Sequence, residues 1–104
     1  MEKRRVFELE KETNQSLKEP YREATIVNLK ENGKPHFRMW LKKGERTACA
    51  FHHAGDLWLV LFRNEKRIYQ IGQGEVTFTK KQTLKRELDA IIDGVWSEYK
   101  SLIA

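Results

Sequence analysis

The sequence predicts an α+β domain: a strongly bent, barrel-like antiparallel β-meander of about six strands, followed by one C-terminal amphipathic helix. Short apolar stretches separated by turn residues recur from residue 22 to residue 79, which is typical of consecutive hairpins. Beyond them, apolar residues recur at spacings of three and four, the period of an amphipathic helix. The 104 residues fit one domain. We therefore divide 1–104 into an N-terminal edge strand and connection (1–21), the meander (22–79) and the helix (80–103).

Turn residues predict the strands and their pairing. Asn32 and Gly33 favour a type I′ hairpin, because both central residues of that turn take positive φ. A two-residue loop there places Ile26 opposite Met39, and we expect three-residue loops at the next three turns. The predicted strands are residues 22–30, 35–42, 46–53, 57–63, 67–72 and 75–79, after a short edge strand at 5–9.

With this register, one face of the meander is apolar throughout. Its residues are Ile26, Phe37, Met39, Cys49, Phe51, Trp58, Val60, Phe62, Tyr69, Ile71, Val76 and Phe78. The opposite face is mixed but still partly apolar, so both faces need cover. We expect the sheet to curl over one face and the helix to cover the other, where Ala48 and Ala50 would let it approach closely.

The C-terminal helix is predicted from an apolar stripe that runs through residues 80–103. The residues expected to contact the sheet are Leu88, Ile91, Val95 and Trp96. Thr79 and Gln82 have the spacing of a capping box, in which their side chains satisfy free backbone N–H groups. Gly94 weakens the helix interior, so we expect a close contact there.

The composition favours a small cytoplasmic protein with no membrane segment, either monomeric or homodimeric. The longest apolar stretch, Leu57 to Phe62, is far shorter than the roughly 20 residues that span a bilayer. Charges recur too early at the N-terminus for a secretion signal. Cys49 is the only cysteine, which excludes an intramolecular disulfide, and its alanine neighbours indicate a buried, unreactive thiol.

The net charge of +5 is concentrated in one part of the chain. Residues 21–53 carry seven basic and three acidic side chains, whereas the remaining segments are nearly balanced. A basic patch attracts nucleic acid, an acidic protein surface or anionic lipid. The same excess also suits a surface that only keeps the protein in solution.

The first candidate site is a basic and aromatic face centred on Trp40. Alternation along a strand brings His36, Arg38 and Lys42 to the same side as Trp40. The flanking turns add Lys30, Lys34, Lys43 and Arg46. An indole that stacks on a base, beside cations that contact phosphates, is what single-stranded nucleic acid binding requires. Alternatively, Trp40 lies under the helix or a loop and the cations are only solvated.

The second candidate is an anion site at the start of the helix. The residues concerned are Thr79, Lys80, Lys81, Lys85 and Arg86. Cations at a helix N-terminus oppose the helix dipole, and free N–H groups there can bind a phosphate or carboxylate. Exposed lysines on a well-packed helix, however, cost little and need no functional reason.

The three histidines are a weaker indication of a metal site or of catalysis. The register places His36 across from His52, with His53 on the other side. Two histidines do not complete a zinc site, and Cys49 has the wrong parity to join them. Facing histidines beside Arg38 are compatible with acid–base cleavage of RNA.

Together these observations predict a non-catalytic binding protein with no cofactor, no metal site and no catalytic residue. Its ligand is expected to be single-stranded DNA or RNA. The alternative is an inhibitor or accessory subunit that uses the same basic face against an acidic protein. A small ribonuclease is the third possibility. No phosphate-binding loop or catalytic motif is present in the sequence.

Overall fold

The computed structural model of the protein describes residues 7–13 and 18–104. Within these residues, seven strands form one antiparallel sheet in chain order, and one helix follows them. The elements are β1 (Phe7–Thr13), β2 (Thr25–Glu31), β3 (Lys34–Lys42), β4 (Glu45–His53), β5 (Asp56–Arg63), β6 (Lys66–Ile71), β7 (Gly74–Glu75) and α1 (Gln82–Ile103). The predicted α+β architecture, a meander followed by a C-terminal helix, is confirmed.

The sheet is open, so the expected barrel-like closure goes too far. β1 and β7 lie at opposite edges, and β7 pairs only with β6. Because β7 is two residues long, the ladder ends there instead of continuing to 79. At the other edge, β1 runs from Phe7 to Thr13, so part of the predicted connection is strand. Residues 5 and 6 of the predicted edge strand lie outside the described residues.

Four successive hairpins turn through two residues that both have positive φ. Asn32 and Gly33 have φ values of 53° and 80°, as the type I′ prediction requires. The turns Lys43–Gly44, Ala54–Gly55 and Asn64–Glu65 repeat this geometry. The three-residue loops expected at the second, third and fourth turns are therefore wrong.

Bulges decide which side chains reach the core. β3 has an extra residue, His36, so Leu29 pairs with Phe37 and Val27 pairs with Met39. The prediction that Ile26 faces Met39 is therefore wrong by one position. An extra residue in β4, Thr47, compensates for the shorter second turn, and the predicted pairing of Met39 with Cys49 is confirmed.

The helix covers the apolar face of the sheet and not the face that carries Ala48 and Ala50. The core joins strand residues such as Met39, Cys49 and Val60 to Leu88, Ile92, Val95 and Tyr99 of α1. These strand residues alternate with the alanines, which consequently point to the other side. The expected helix position is thus reversed, because the bulky apolar face offers far more surface for the helix to bury.

The predicted range of the helix agrees with the structure, but its predicted capping box and close contact do not. α1 spans nearly the predicted range, but Lys81 is its N-cap and makes no side-chain capping bond. The Gln82 side chain donates to the carbonyl of Phe78 at 2.8 Å, so no capping box forms. A Cβ added at Gly94 would meet nothing within 4 Å, which contradicts the expected close contact.

No helix in the described part of the chain is long and apolar enough to cross a membrane.

Candidate functional site

The face of the sheet away from α1, here called the open face, carries a groove of about 420 Å³. Its floor comes from β2, β3 and β4, and the acidic side chains of β1 form one wall. Leu57 of β5 stands at the other side and is 53% exposed. Ala50 lies opposite Arg38 in the neighbouring strand, and its small side chain leaves depth in the floor.

Cross-strand pairing arranges the groove residues in two parallel rows. The first row is Glu10, Asn28, Arg38 and Ala50, and the second is Glu12, Ile26, Trp40 and Ala48. Ile26 and Ala48 belong to the second row but do not line the groove. Residues in one row are direct neighbours across the sheet. The groove therefore presents carboxylates on β1 and a guanidinium and an indole on β3, with β2 between them.

Arg38 and Trp40 lie side by side, as the sequence predicts. The guanidinium carbon of Arg38 lies 5.9 Å from the centre of the Trp40 ring, within reach of a cation–π interaction. Arg38 Nε donates to Asn28 Oδ1 at 2.8 Å, which holds the exposed side chain over the floor. The terminal guanidinium nitrogens have no partner within residues 7–13 and 18–104.

Trp40 marks the boundary between an open and a covered half of this face. The ring of Tyr21, in the segment before β2, lies 5.1 Å from the Trp40 ring with a tilted geometry. Glu19 of the same segment accepts a hydrogen bond from Lys42 at 2.6 Å, which lowers the pKa of its carboxyl group. Lys42 is therefore held by an acid, while Trp40 remains half-buried at the end of the groove.

Ion pairing separates the predicted cations into two groups. Lys30 lies 2.8 Å from Glu10, and this contact lowers the pKa of Glu10 and raises that of Lys30. By contrast, Arg38, Lys34 and Lys43 have no acidic partner among the described residues. These three are the cations that remain available to a ligand.

Arg46 lies on the helix side of the sheet, apart from the other predicted site residues. Its guanidinium carbon lies 4.6 Å from the ring centre of Phe62 and 4.6 Å from that of Trp96. Burial lowers the pKa of Arg46, and Asp93 approaches it at 4.0 Å. Arg46 therefore links the sheet to α1 and does not reach the groove.

The predicted anion site at the helix start is only partly assembled. Thr79, Lys80 and Lys81 are exposed beside the uncapped first turn. Lys85 Nζ lies 3.0 Å from Asp89 and forms an ion pair with it instead of pointing to an anion at the helix start. Arg86 is exposed further along the helix. Anion binding at this position stays a prediction.

His36 and His52 both line the groove, whereas His53 lies on the helix side. His36 Nδ1 is 3.6 Å from Glu31, and His53 Nε2 is 3.1 Å from Glu87 of α1. Within the described ranges, no group of three or more His, Cys, Asp or Glu residues is placed to hold a metal ion. Cleavage of RNA by the two groove histidines stays a hypothesis.

Sequence reasoning missed the acidic wall of the groove. Glu8, Glu10 and Glu12 alternate with Leu9 and Lys11, which is the pattern of a strand with one acidic face. Because the predicted edge strand ended at residue 9, Glu10 and Glu12 were assigned to the connection and not to a strand. Asn28 was missed because the bulge at His36 shifts it to the position opposite Arg38.

Comparisons of the chain with protein-family models, with curated proteins and with solved structures find no match.

Proposed function

We propose that the protein binds single-stranded nucleic acid on the open face. The observation that carries this proposal is the uncovered groove in which Trp40 and Arg38 lie together, with Arg38 free of an acidic partner among the described residues. An aromatic ring stacks on any unpaired base, and the cations contact the backbone. Single-stranded binding modules use this combination.

The available cations suggest the course of the strand. Lys34 lies at the start of β3, and Arg38 and Trp40 follow on the same strand. A nucleic acid chain that runs along β3 would stack a base on Trp40 with Arg38 beside that base, and its backbone would pass Lys34 where β3 begins. Paired bases are not accessible to stacking, so the corresponding duplex is expected to bind more weakly.

The test is a titration of the protein with labelled single-stranded oligonucleotides at two salt concentrations. Binding should weaken with salt because phosphate contacts release counterions. Trp40→Ala should weaken binding by about 1–3 kcal/mol with little change in salt dependence. Lys34→Ala should reduce the slope of log affinity against log salt by about one. Lys66→Ala removes an exposed cation at the start of β6 and is the matched control.

Tryptophan fluorescence supplies a second readout at the same time. Stacking on Trp40 should quench part of the emission, and Trp40→Phe should remove that quenching while some affinity remains. Trp96→Phe alters a ring on the helix side and should leave the quenching intact. Absence of binding at low salt, or unchanged affinity in a variant lacking both Arg38 and Trp40 side chains, would show the proposal to be wrong.

A protein partner on the same face is the second candidate. Glu10 and Glu12 line the groove opposite Arg38, and Leu57 is 53% exposed, so the surface combines both charges with an apolar group. Protein interfaces commonly have this mixture around an aromatic or arginine anchor. A protein that binds here should lose affinity on Trp40→Ala, and oligonucleotides should not compete with it.

A further inference from the structure

The groove contains unpaired hydrogen-bonding groups of opposite kind on its two sides. Glu12 is exposed and has no hydrogen bond or ion pair within the described residues, whereas Glu10 is held by Lys30. Across β2, the terminal nitrogens of Arg38 are likewise without a partner. The groove therefore offers an acceptor pair on one side and a donor pair on the other.

The spacing between the two sides suits a planar ring system. Glu12 belongs to β1 and Arg38 to β3, so their backbones are two strand spacings apart, or roughly 10 Å, and both side chains line the groove from opposite sides of β2. Only Asn28 and Ile26 of β2 lie between them in the two rows. A heterocycle that lies across β2 beside Trp40 can thus meet the carboxylate at one edge and the guanidinium at the other.

Guanine is the base whose edges match this arrangement. It presents O6 and N7 as adjacent acceptors, which arginine contacts with two parallel hydrogen bonds. Its other edge carries the N1–H and N2–H donors, which a carboxylate accepts together. Adenine presents its N6 amino donor next to N7 and would meet the donors of Arg38. Uracil and thymine place carbonyl oxygens on both sides of N3–H, and these would repel Glu12.

We infer that the groove prefers guanine over adenine, uracil and thymine, with Glu12 and Arg38 as the specificity-determining residues. This inference rests on the proposed function, because it requires single-stranded nucleic acid to enter the groove. Stacking on Trp40 supplies affinity that does not depend on the base. The hydrogen bonds at the two edges supply the discrimination.

The experiment compares short oligothymidines that differ only in one central base. The probes carry guanine, adenine, cytosine, inosine, which lacks the N2 amino group, or 7-deazaguanine, which lacks the N7 acceptor. Guanine should bind roughly 5- to 100-fold more tightly than adenine. Inosine and 7-deazaguanine should each lose part of this advantage.

Variants of the protein assign each contact. Glu12→Ala should abolish the difference between guanine and inosine but keep that between guanine and 7-deazaguanine. Arg38→Ala should have the converse effect. Glu8→Ala removes an acid from the same strand and the same face, outside the groove lining, and should preserve both differences.

The outcomes separate the inference from the proposed function. Equal binding of all the probes, with Trp40→Ala still weakening it, would overturn the guanine preference and leave single-strand binding standing. A preference for guanine that survives Glu12→Ala unchanged would also overturn the inference. Failure of every oligonucleotide to bind would contradict the proposed function, and the inference would fall with it.

Discussion

The two faces of the sheet differ in how their charged side chains are paired. On the helix face, Arg67 contacts Asp89 at 2.9 Å and Asp93 at 2.5 Å, and Arg46 is held between two aromatic rings. On the open face, Arg38 and Glu12 form no ion pair among the described residues, although the charge of Glu12 contributes to the raised pKa of Lys30. Arg67 on the helix face is thus paired internally, whereas the buried Nη1 of Arg46 has no hydrogen-bond partner among the described residues. In the groove, Lys30 is paired with Glu10, while Arg38 remains available to a ligand.

This difference separates residues that look alike in the sequence. Arg38 and Arg46 both belong to the basic segment, but the former lies in the groove and the latter supports the helix. Trp40 and Trp96 are both half-buried aromatics, and only Trp40 borders the groove. We therefore expect Arg46 and Trp96 to contribute to stability, whereas Arg38 and Trp40 belong to the proposed binding surface.

The largest expected effect tests the helix face itself. Leu88 is fully buried in the core, and Leu88→Ala should lower the free energy of unfolding by about 2–5 kcal/mol, because it removes packed methyl groups and leaves a cavity. Leu57→Ala, on the open face, should change it by less than about 0.5 kcal/mol. Chemical denaturation measures both. Equal effects of the two substitutions would contradict the comparison.

The second prediction concerns the polar link between helix and sheet. Burial raises the pKa of Asp89, but hydrogen bonds from Tyr69, Lys85 and Arg67 outweigh it, and the net pKa is lowered. Asp89→Asn should lower the free energy of unfolding at neutral pH by about 1–3 kcal/mol, since these donors lose a charged acceptor. Asp56→Asn, at an exposed turn, is the control.

The pH dependence of this effect has a defined sign. Because the folded pKa of Asp89 is below its unfolded value of about 3.9, the stabilisation is present above that value. It is lost as the pH falls through the folded pKa. The difference between the native protein and Asp89→Asn should therefore shrink in acid. A difference that stays constant down to the acid transition would show that Asp89 is not stabilised as its carboxylate.

The third prediction compares how removal of Arg46 and removal of Arg38 affect stability and binding. Arg46→Ala should lower the free energy of unfolding by about 1–2 kcal/mol, because it removes a partly buried cation from between Phe62 and Trp96. Arg38→Ala should leave stability within about 0.5 kcal/mol. In oligonucleotide titrations the order should reverse, with Arg38→Ala the more harmful. If both variants weaken binding equally, the two faces are not functionally distinct.

The smallest expected effect lies in a turn that belongs to neither face. Glu65 has a φ of 63°, a left-handed conformation that costs a residue with a Cβ about 1–2 kcal/mol. Glu65→Gly should relieve most of this cost and raise the free energy of unfolding by about 0.5–1 kcal/mol, with no change in binding. Lys66→Gly, at the first residue of β6, should lower it instead. Thermal or chemical unfolding distinguishes the two outcomes.

The sequence by itself determined the local elements of this protein. Turn pairs such as Asn32–Gly33 require positive φ, and alternation or a spacing of three and four marks each strand or the helix. These signals depend on neighbouring residues, so they can be read from the chain alone. The same alternation predicted that Arg38 and Trp40 share one side of β3, and the structure places them together.

Only the tertiary structure decided how those elements combine. The bulge at His36 shifted β2 by one residue, which brought Asn28 opposite Arg38 and turned Val27 inward in place of Ile26. The choice of sheet face by α1 left one side of β3 open, and the pairing of β1 with β2 added Glu12 to the groove. These outcomes depend on the total surface buried between distant segments. The buried surface that favours one arrangement over another cannot be determined from any local stretch of the sequence.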